Sequence, residues 1–236
     1  MSVSDAVAEF AVEAADPHCL SDDDAATALS GSPYQRFAVL GDSLAKGLGD
    51  DSPGYRSITW ATRVAAALRR AQPDLAFLNL GHPDLRAAQV LATQLEPALD
   101  FQPDLASVIC GGMDLLAPEL DLDLVEAELD ALVGALRGGG SDVVMFTLQD
   151  ISTAWPELAG SPLLERIQAF NDVTRSVAAR HGALVVEMWS HPARSDRSIY
   201  SVDMRHASMK GQAIVASATI TVIGDHLATL RAQPPG

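Results

Sequence analysis

Five short apolar segments alternate with longer amphipathic segments along most of this chain, and this alternation restricts the possible fold more than any other feature. The apolar segments are bounded by Gly, Pro or Asp and lie at residues 36–40, 75–80, 105–110, 143–148 and 183–187. Continuous apolar runs of this length are typical of strands that are buried on both faces of a parallel sheet. We therefore predict five parallel strands.

The intervening segments have apolar residues at three- and four-residue spacing, which is the period of an amphipathic helix. They cover residues 57–70, 85–95, 122–136, 163–180 and 208–230. Strands that alternate with helices form βαβ units, and consecutive units of this kind build a doubly wound sheet. The predicted fold class is α/β, a three-layer α/β/α sandwich around a five-stranded parallel sheet.

The first 33 residues differ from the rest because they are acidic and rich in alanine. Ser21 precedes three aspartates and an alanine-rich run, a pattern that predicts a capped helix. We predict an N-terminal helical arm over residues 1–33 and one α/β domain over residues 34–236. The arm could act as a lid or a dimer contact, or it could simply pack against the domain.

Charge and composition restrict the partners. The net charge of -15 argues against nucleic acid and against an anionic membrane, because a polyanion would be repelled. The N-terminus lacks a basic segment followed by an apolar run, which predicts a cytoplasmic location. The lengths of the apolar stretches predict that none of them spans a bilayer. The partner expected is a small molecule.

Ser43 is the first candidate for chemistry. It follows the first predicted strand in the sequence Gly41-Asp42-Ser43, and ligand sites in doubly wound sheets lie beyond the carboxyl ends of the strands. A turn that begins with glycine can present the serine hydroxyl at the edge of the sheet. Taken alone, the motif is explained equally well by a turn serine or a helix cap.

Asp203 and His206 strengthen the case for catalysis. A spacing of three residues lets the carboxylate reach the imidazole Nδ1–H while Nε2 faces outward. Ser43 would then be the nucleophile, His206 the general base and Asp203 the group that orients the imidazole. An aspartate cap beside a surface histidine is the alternative. The other histidines have no partners at ligand spacing, so no metal site is predicted.

Four stretches of the chain together resemble the SGNH or GDSL family of serine hydrolases. They are Val39-Leu-Gly-Asp-Ser43, Asn79-Leu-Gly81, Gly111-Gly-Met-Asp114, and Asp203-Met-Arg-His206 followed by Gly211. The resemblance covers nearly all of residues 36–230. It implies a flavodoxin-like sheet and the hydrolysis of esters, thioesters or acylated sugars without a metal or an organic cofactor.

Two positions depart from the family pattern at the expected oxyanion hole. Similar proteins have a glycine where this chain has Asp84, and an asparagine where it has Met113. Asp84 keeps a backbone N–H, but its carboxylate would oppose a developing negative charge, and Met113 offers no donor. The resemblance implies a reduced oxyanion hole formed by the N–H groups of Ser43 and Asp84. His82 could contact the substrate or merely cover the sheet edge.

Three functions therefore stay open. The first is an esterase or acyl-transfer enzyme that uses Ser43, His206 and Asp203, with Met113 shaping the acyl pocket. The second is a changed reaction of a biosynthetic pathway in which Asp84, alone or together with His82, supplies acid or base chemistry. The third is a binding protein that keeps the fold of a hydrolase without its activity.

Overall fold

The computed structural model describes residues 10–232, and its five strands form a single parallel sheet. The strands are β1 Arg36–Gly41, β2 Ala76–Asn79, β3 Leu105–Ile109, β4 Asp142–Phe146 and β5 Leu184–Val186. Their order is β2-β1-β3-β4-β5, with every neighbouring pair parallel. This is the flavodoxin-like order of a doubly wound sheet, so the predicted α/β fold class is confirmed.

Nine α-helices accompany the strands within the described residues. They are α1 Ala11–Ala15, α2 Asp22–Ala28, α3 Ser43–Lys46, α4 Trp60–Ala71, α5 Ala87–Phe101, α6 Gly112–Leu115, α7 Leu122–Gly138, α8 Pro162–His181 and α9 Met209–Ala232. The five long helices match the five predicted amphipathic segments. Thus the three- and four-residue apolar spacing was sufficient to locate them.

Side-chain caps determine where several of these helices begin. Thr59 accepts a hydrogen bond from the backbone of Thr62 at the start of α4, and Ser161 does the same for α8. Ser21 caps α2, as predicted from the sequence. Each cap satisfies a backbone N–H that has no partner inside its helix.

The contacts divide the chain into two compact units. The larger unit comprises Tyr34–Lys46 and Asp74–Arg197, and the smaller unit comprises the described part of residues 1–33 together with Gly47–Pro73 and the segment from Ser198 onwards. The larger unit contains all five strands. The boundary predicted after residue 33 stays a prediction, and the first nine residues of the predicted arm lie outside the described residues.

The larger unit has a continuous apolar core beside its sheet. Helices α5, α7 and α8 contribute apolar side chains that pack with residues from β1, β3 and β4. Burying each Val, Leu, Ile, Phe or Met side chain of this core stabilises the fold by about 1.5–3 kcal/mol. This packed core supports the carboxyl ends of the strands, where the candidate site lies.

In the smaller unit, α1 is held by a buried ion pair. The Glu13 carboxylate accepts hydrogen bonds from Arg63 at 2.6 and 3.0 Å and from the Arg56 side chain at 2.8 Å. Burial alone would raise the pKa of Glu13, but hydrogen bonds from Arg63 and Arg56 outweigh that effect and lower the pKa to about 2. The charged carboxylate is therefore part of the folded structure at neutral pH.

Among the described helices, α9 has the length and apolar composition that would allow it to cross a membrane. The apolar pattern of the sequence predicts no stretch long enough to span a bilayer, and α9 corrects that prediction. Half of its most apolar window is buried inside the protein. Since a buried core helix has the same composition, this observation is weak evidence for a membrane span.

We expect Glu13→Gln to destabilise the smaller unit by about 3 kcal/mol, because it leaves the buried Arg63 guanidinium without its anion. Urea unfolding at pH 7 measures this loss. Because the folded pKa of Glu13 lies below its usual value of 4.5, its stabilisation is present above pH 4.5 and is lost as the pH falls towards 2. The difference between wild type and Glu13→Gln should therefore shrink over that range.

The matched control is Asp23→Asn, which removes the partner of Arg70 in an exposed ion pair. Exposed pairs contribute at most about 1 kcal/mol. Equal losses in the two variants, or a Glu13→Gln loss that does not change between pH 5 and pH 2, would contradict the role given to Glu13.

Candidate functional site

Ser43 is the first residue of α3, two residues beyond the end of β1, and it is buried. The turn before it is possible because residue 41 is glycine. Gly41 has a φ of +144°, and a Cβ there would lie 1.9 Å from the carbonyl oxygen of Ile109 on β3. Asp42 then closes the turn, since its carboxylate accepts the backbone N–H of Leu44 at 2.9 Å.

Gln94 on α5 holds this turn in place with two hydrogen bonds to Gly41. Its side-chain oxygen accepts the Gly41 N–H at 2.7 Å, and its side-chain nitrogen donates to the Gly41 carbonyl at 2.8 Å. Gln94 is 3 % exposed. Gln94 is not predictable from the sequence, because nothing in a helical pattern distinguishes a buried glutamine that reaches a distant strand from a surface one.

The loop after β2 lies against the same turn. The His82 backbone N–H donates to the Gly41 carbonyl at 3.2 Å, and Asn79 bonds both to Gly81 and to the Ala45 carbonyl. The His82 side chain is exposed, and its Nδ1 lies 2.9 Å from the Pro83 carbonyl oxygen. His82 thus meets the nucleophile turn through its backbone.

Asp84 has a left-handed backbone, with a φ of +61°. Glycine adopts this conformation without steric cost, whereas other residues do so rarely. Asp84 therefore has a backbone form that glycine adopts most easily, and it adds an exposed carboxylate to the loop.

Met113 lies in the third loop, on the short helix α6 that follows β3. A Cβ at the neighbouring Gly112 would lie 3.5 Å from the Asp42 carboxylate, which places this loop beside the Ser43 turn. Asp114 links this loop to the segment between β2 and α5, because its carboxylate accepts the backbone N–H of Ala87, the first residue of α5, at 3.0 Å. Burial raises the pKa of Asp114.

Asp203 and His206 lie in the smaller unit, in the loop before α9. His206 Nδ1 is 2.6 Å from Asp203 Oδ2, and the other carboxylate oxygen accepts the backbone N–H groups of Arg205 and His206 at 2.9 and 3.1 Å. Burial alone would raise the pKa of Asp203, but these N–H groups and the imidazole outweigh it and lower that pKa. The carboxylate is therefore ionised at neutral pH.

The ionised state of Asp203 determines the tautomer of His206. A carboxylate can only accept a hydrogen bond, so Nδ1 carries the proton and Nε2 of the neutral ring keeps a free lone pair. The imidazole is consequently arranged to accept a proton at Nε2. This is the arrangement that the three-residue spacing predicts.

The structure thus assembles the predicted residues in two groups. In the larger unit, the three loops that carry Ser43, Asp84 and Met113 meet at the carboxyl ends of β1, β2 and β3. In the smaller unit, Asp203 and His206 form a hydrogen-bonded pair. Among residues 10–232, no group of three or more His, Cys, Asp or Glu side chains could hold a metal ion.

We expect Gln94→Leu to lower the free energy of unfolding by about 1–3 kcal/mol, because it leaves the buried Gly41 N–H without its partner. Chemical denaturation measures the loss. Thr93→Ala on the same helix is the control, since Thr93 is exposed and bonds only within its own helix. If both variants unfold like wild type, Gln94 does not support the turn.

Comparisons with known proteins agree with this architecture. Among solved structures, the acetylxylan esterase Axe2 from Geobacillus stearothermophilus is 21% identical, with a TM-score of 0.66 over 83% of this chain and 95% of that one. LAE5, an alpha/beta hydrolase enzyme from the metagenome of Lake Arreo, is 19% identical, with a TM-score of 0.67 over 83% of this chain and 96% of that one. At this level of identity the likeness shows a shared fold.

No functionally curated protein matches the chain. The model of the GDSL-like lipase/acylhydrolase family, however, matches residues 39–214. That span begins in the strand before Ser43, includes all three loops of the larger unit, and ends beyond His206. The chain therefore belongs to the GDSL-like lipase/acylhydrolase family.

Proposed function

We propose that this protein hydrolyses an ester or thioester of a small molecule, with Ser43 as nucleophile, His206 as general base and Asp203 as the orienting carboxylate. Family membership supports an ester hydrolase in general. The observation that carries the finer proposal is the 2.6 Å hydrogen bond between His206 Nδ1 and Asp203 Oδ2. This hydrogen bond occupies Nδ1 of His206 and leaves Nε2 available as the general base.

In the first half of the reaction, the Ser43 Oγ attacks the carbonyl carbon of the substrate and gives its proton to His206 Nε2. A tetrahedral intermediate forms, with its negative charge on the former carbonyl oxygen. Asp203 stabilises the imidazolium that results. His206 then donates the proton to the leaving group as the bond between carbon and leaving group breaks, which leaves an acyl-serine.

In the second half, a water molecule gives a proton to His206 Nε2 while its oxygen attacks the acyl-serine. The new tetrahedral intermediate collapses, His206 returns the proton to the Ser43 oxygen, and the carboxylic acid leaves. The atoms balance to the hydrolysis of one ester bond by one water molecule. The cycle needs no metal or organic cofactor, and a small acylated molecule is the partner that we propose.

The same residue types occur at the catalytic site of a protein with this fold. Solved structures of Axe2 include catalytic mutants of a serine, an aspartate and a histidine, and the aspartate precedes the histidine by three residues. Asp203 and His206 have that spacing. This agreement supports the assignment of the triad by analogy of fold.

We propose further that the oxyanion hole is reduced. Its donors would be the backbone N–H groups of Ser43 and Asp84, and the left-handed backbone of Asp84 supports the second of these because it matches that of a glycine. Met113 stands where the family pattern has a side-chain donor, so it shapes the acyl pocket instead. Loss of one donor typically lowers turnover by about 10²- to 10³-fold.

We expect a small fluorophosphonate to label wild-type protein on Ser43, as measured by intact mass, because only an activated serine reacts rapidly. Ser43→Ala should show no labelling, and His206→Ala should label at least about 100-fold more slowly because it lacks the general base. His226→Ala is the control, since this histidine lies on α9 outside the proposed triad. Folded wild-type protein that stays unlabelled would favour the changed-reaction or binding functions.

We expect Met113→Asn to raise kcat for a simple ester by up to about 100-fold, because it restores a donor towards the oxyanion. Asp84→Gly should add to this gain, since it removes an opposing carboxylate and keeps the left-handed backbone. The control is Leu116→Asn, an exposed position just after α6. No gain in folded Met113→Asn or Asp84→Gly would refute the reduced oxyanion hole.

A further inference from the structure

The loop that carries Asp203 and His206 has an exposed apolar tip. Val202 is 92% exposed and Met204 is 51% exposed, although each is adjacent to Asp203 in the sequence. We call Val202 and Met204 the apolar tip.

Hydrogen bonds hold the tip in a defined place. The Val202 N–H donates to the Asp50 carboxylate at 2.8 Å, and the Asp50 N–H donates to the Ser201 hydroxyl at 2.9 Å. Gly49 permits this contact, because a Cβ there would lie 1.8 Å from the Ala207 carbonyl oxygen. The apolar side chains are thus presented by a backbone that is fixed at both sides of the tip.

Met204 is unusual in a second respect, because its φ is +58°. The left-handed backbone costs folding free energy for any residue with a Cβ. Exposing a large apolar side chain to water adds no stability in return. Glycine or asparagine would adopt this backbone more easily, so folding alone does not explain a methionine here.

The geometry points to a substrate that carries an apolar group longer than acetyl, which Val202 and Met204 contact while His206 acts on the ester. This inference rests on the proposed function, and it adds the substrate class. Val202 and Met204 flank Asp203 in the chain, and Asp203 lies 2.6 Å from His206 Nδ1. A substrate placed for proton transfer at Nε2 would therefore lie near the tip. Contact would remove apolar surface from water and favour longer acyl or alkyl groups.

The test compares p-nitrophenyl octanoate with p-nitrophenyl acetate by the ratio of their kcat/KM values. Met204→Asn keeps a residue that tolerates a left-handed backbone and removes the apolar side chain, and Val202→Ser changes only the exposed side chain. We expect the octanoate-to-acetate ratio to fall about five- to tenfold in each variant. Met204→Leu should keep most of the wild-type ratio.

Two further variants separate the effect of apolar contact with the substrate from the effect of the left-handed backbone at residue 204. Met204→Gly should raise the melting temperature, because it relieves the left-handed backbone, and should still lower the ratio. Leu124→Ser is the control, since Leu124 is a 55% exposed apolar residue at the start of α7, and it should keep the ratio. A ratio that stays at the wild-type value in Met204→Asn and Val202→Ser would overturn the inference.

The outcomes also distinguish this inference from the proposed function. If fluorophosphonate labels Ser43 and both esters are hydrolysed with an unchanged ratio in the tip variants, hydrolysis stands and the apolar-substrate inference falls. If wild type is neither labelled nor active on either ester, both fall. A shift in oligomeric mass in Met204→Asn with an unchanged ratio would assign the tip to a contact between copies and would overturn the inference.

Discussion

The close approach of β1 to β3 at Gly41 is the constraint on which the nucleophile turn depends. The Ile109 carbonyl oxygen occupies the space that a side chain at residue 41 would need, so only a glycine lets β1 end beside β3. Gln94 then satisfies both backbone groups of Gly41, and the His82 N–H reaches its carbonyl. One backbone position thereby brings three loops together at one edge of the sheet.

The pKa values of Glu13, Asp114 and Asp203 depend on the balance between burial and hydrogen-bond donors. Burial opposes ionisation at Glu13 and at Asp203, yet arginine side chains in the first case and backbone N–H groups with an imidazole in the second lower both pKa values. Asp114 has fewer donors, so burial prevails and raises its pKa. The donors around each carboxylate therefore set the direction of its pKa shift, and the ionised Asp203 sets the tautomer of His206.

The two proposals about the reaction are connected through binding energy. A reduced oxyanion hole lowers the stabilisation of the transition state at the reacting carbon. Contacts with a remote apolar part of the substrate can be used to position the ester and so to raise turnover. Contact between the apolar tip and the substrate would offset part of the turnover that is lost at the reduced oxyanion hole.

Much of the fold could be predicted from the sequence, since apolar periodicity predicts strands and helices, and the order of the family motifs points to Ser43, Asp203 and His206 as candidate catalytic residues. Local spacing also predicts the Asp203–His206 pair, because three residues suffice to join them. Only the tertiary structure decided which distant groups meet: that Gln94 holds Gly41, that Asp114 joins two loops, and that Asp84 and Met204 have left-handed backbones. These features depend on long-range packing and on backbone angles, and neither follows from residue type alone.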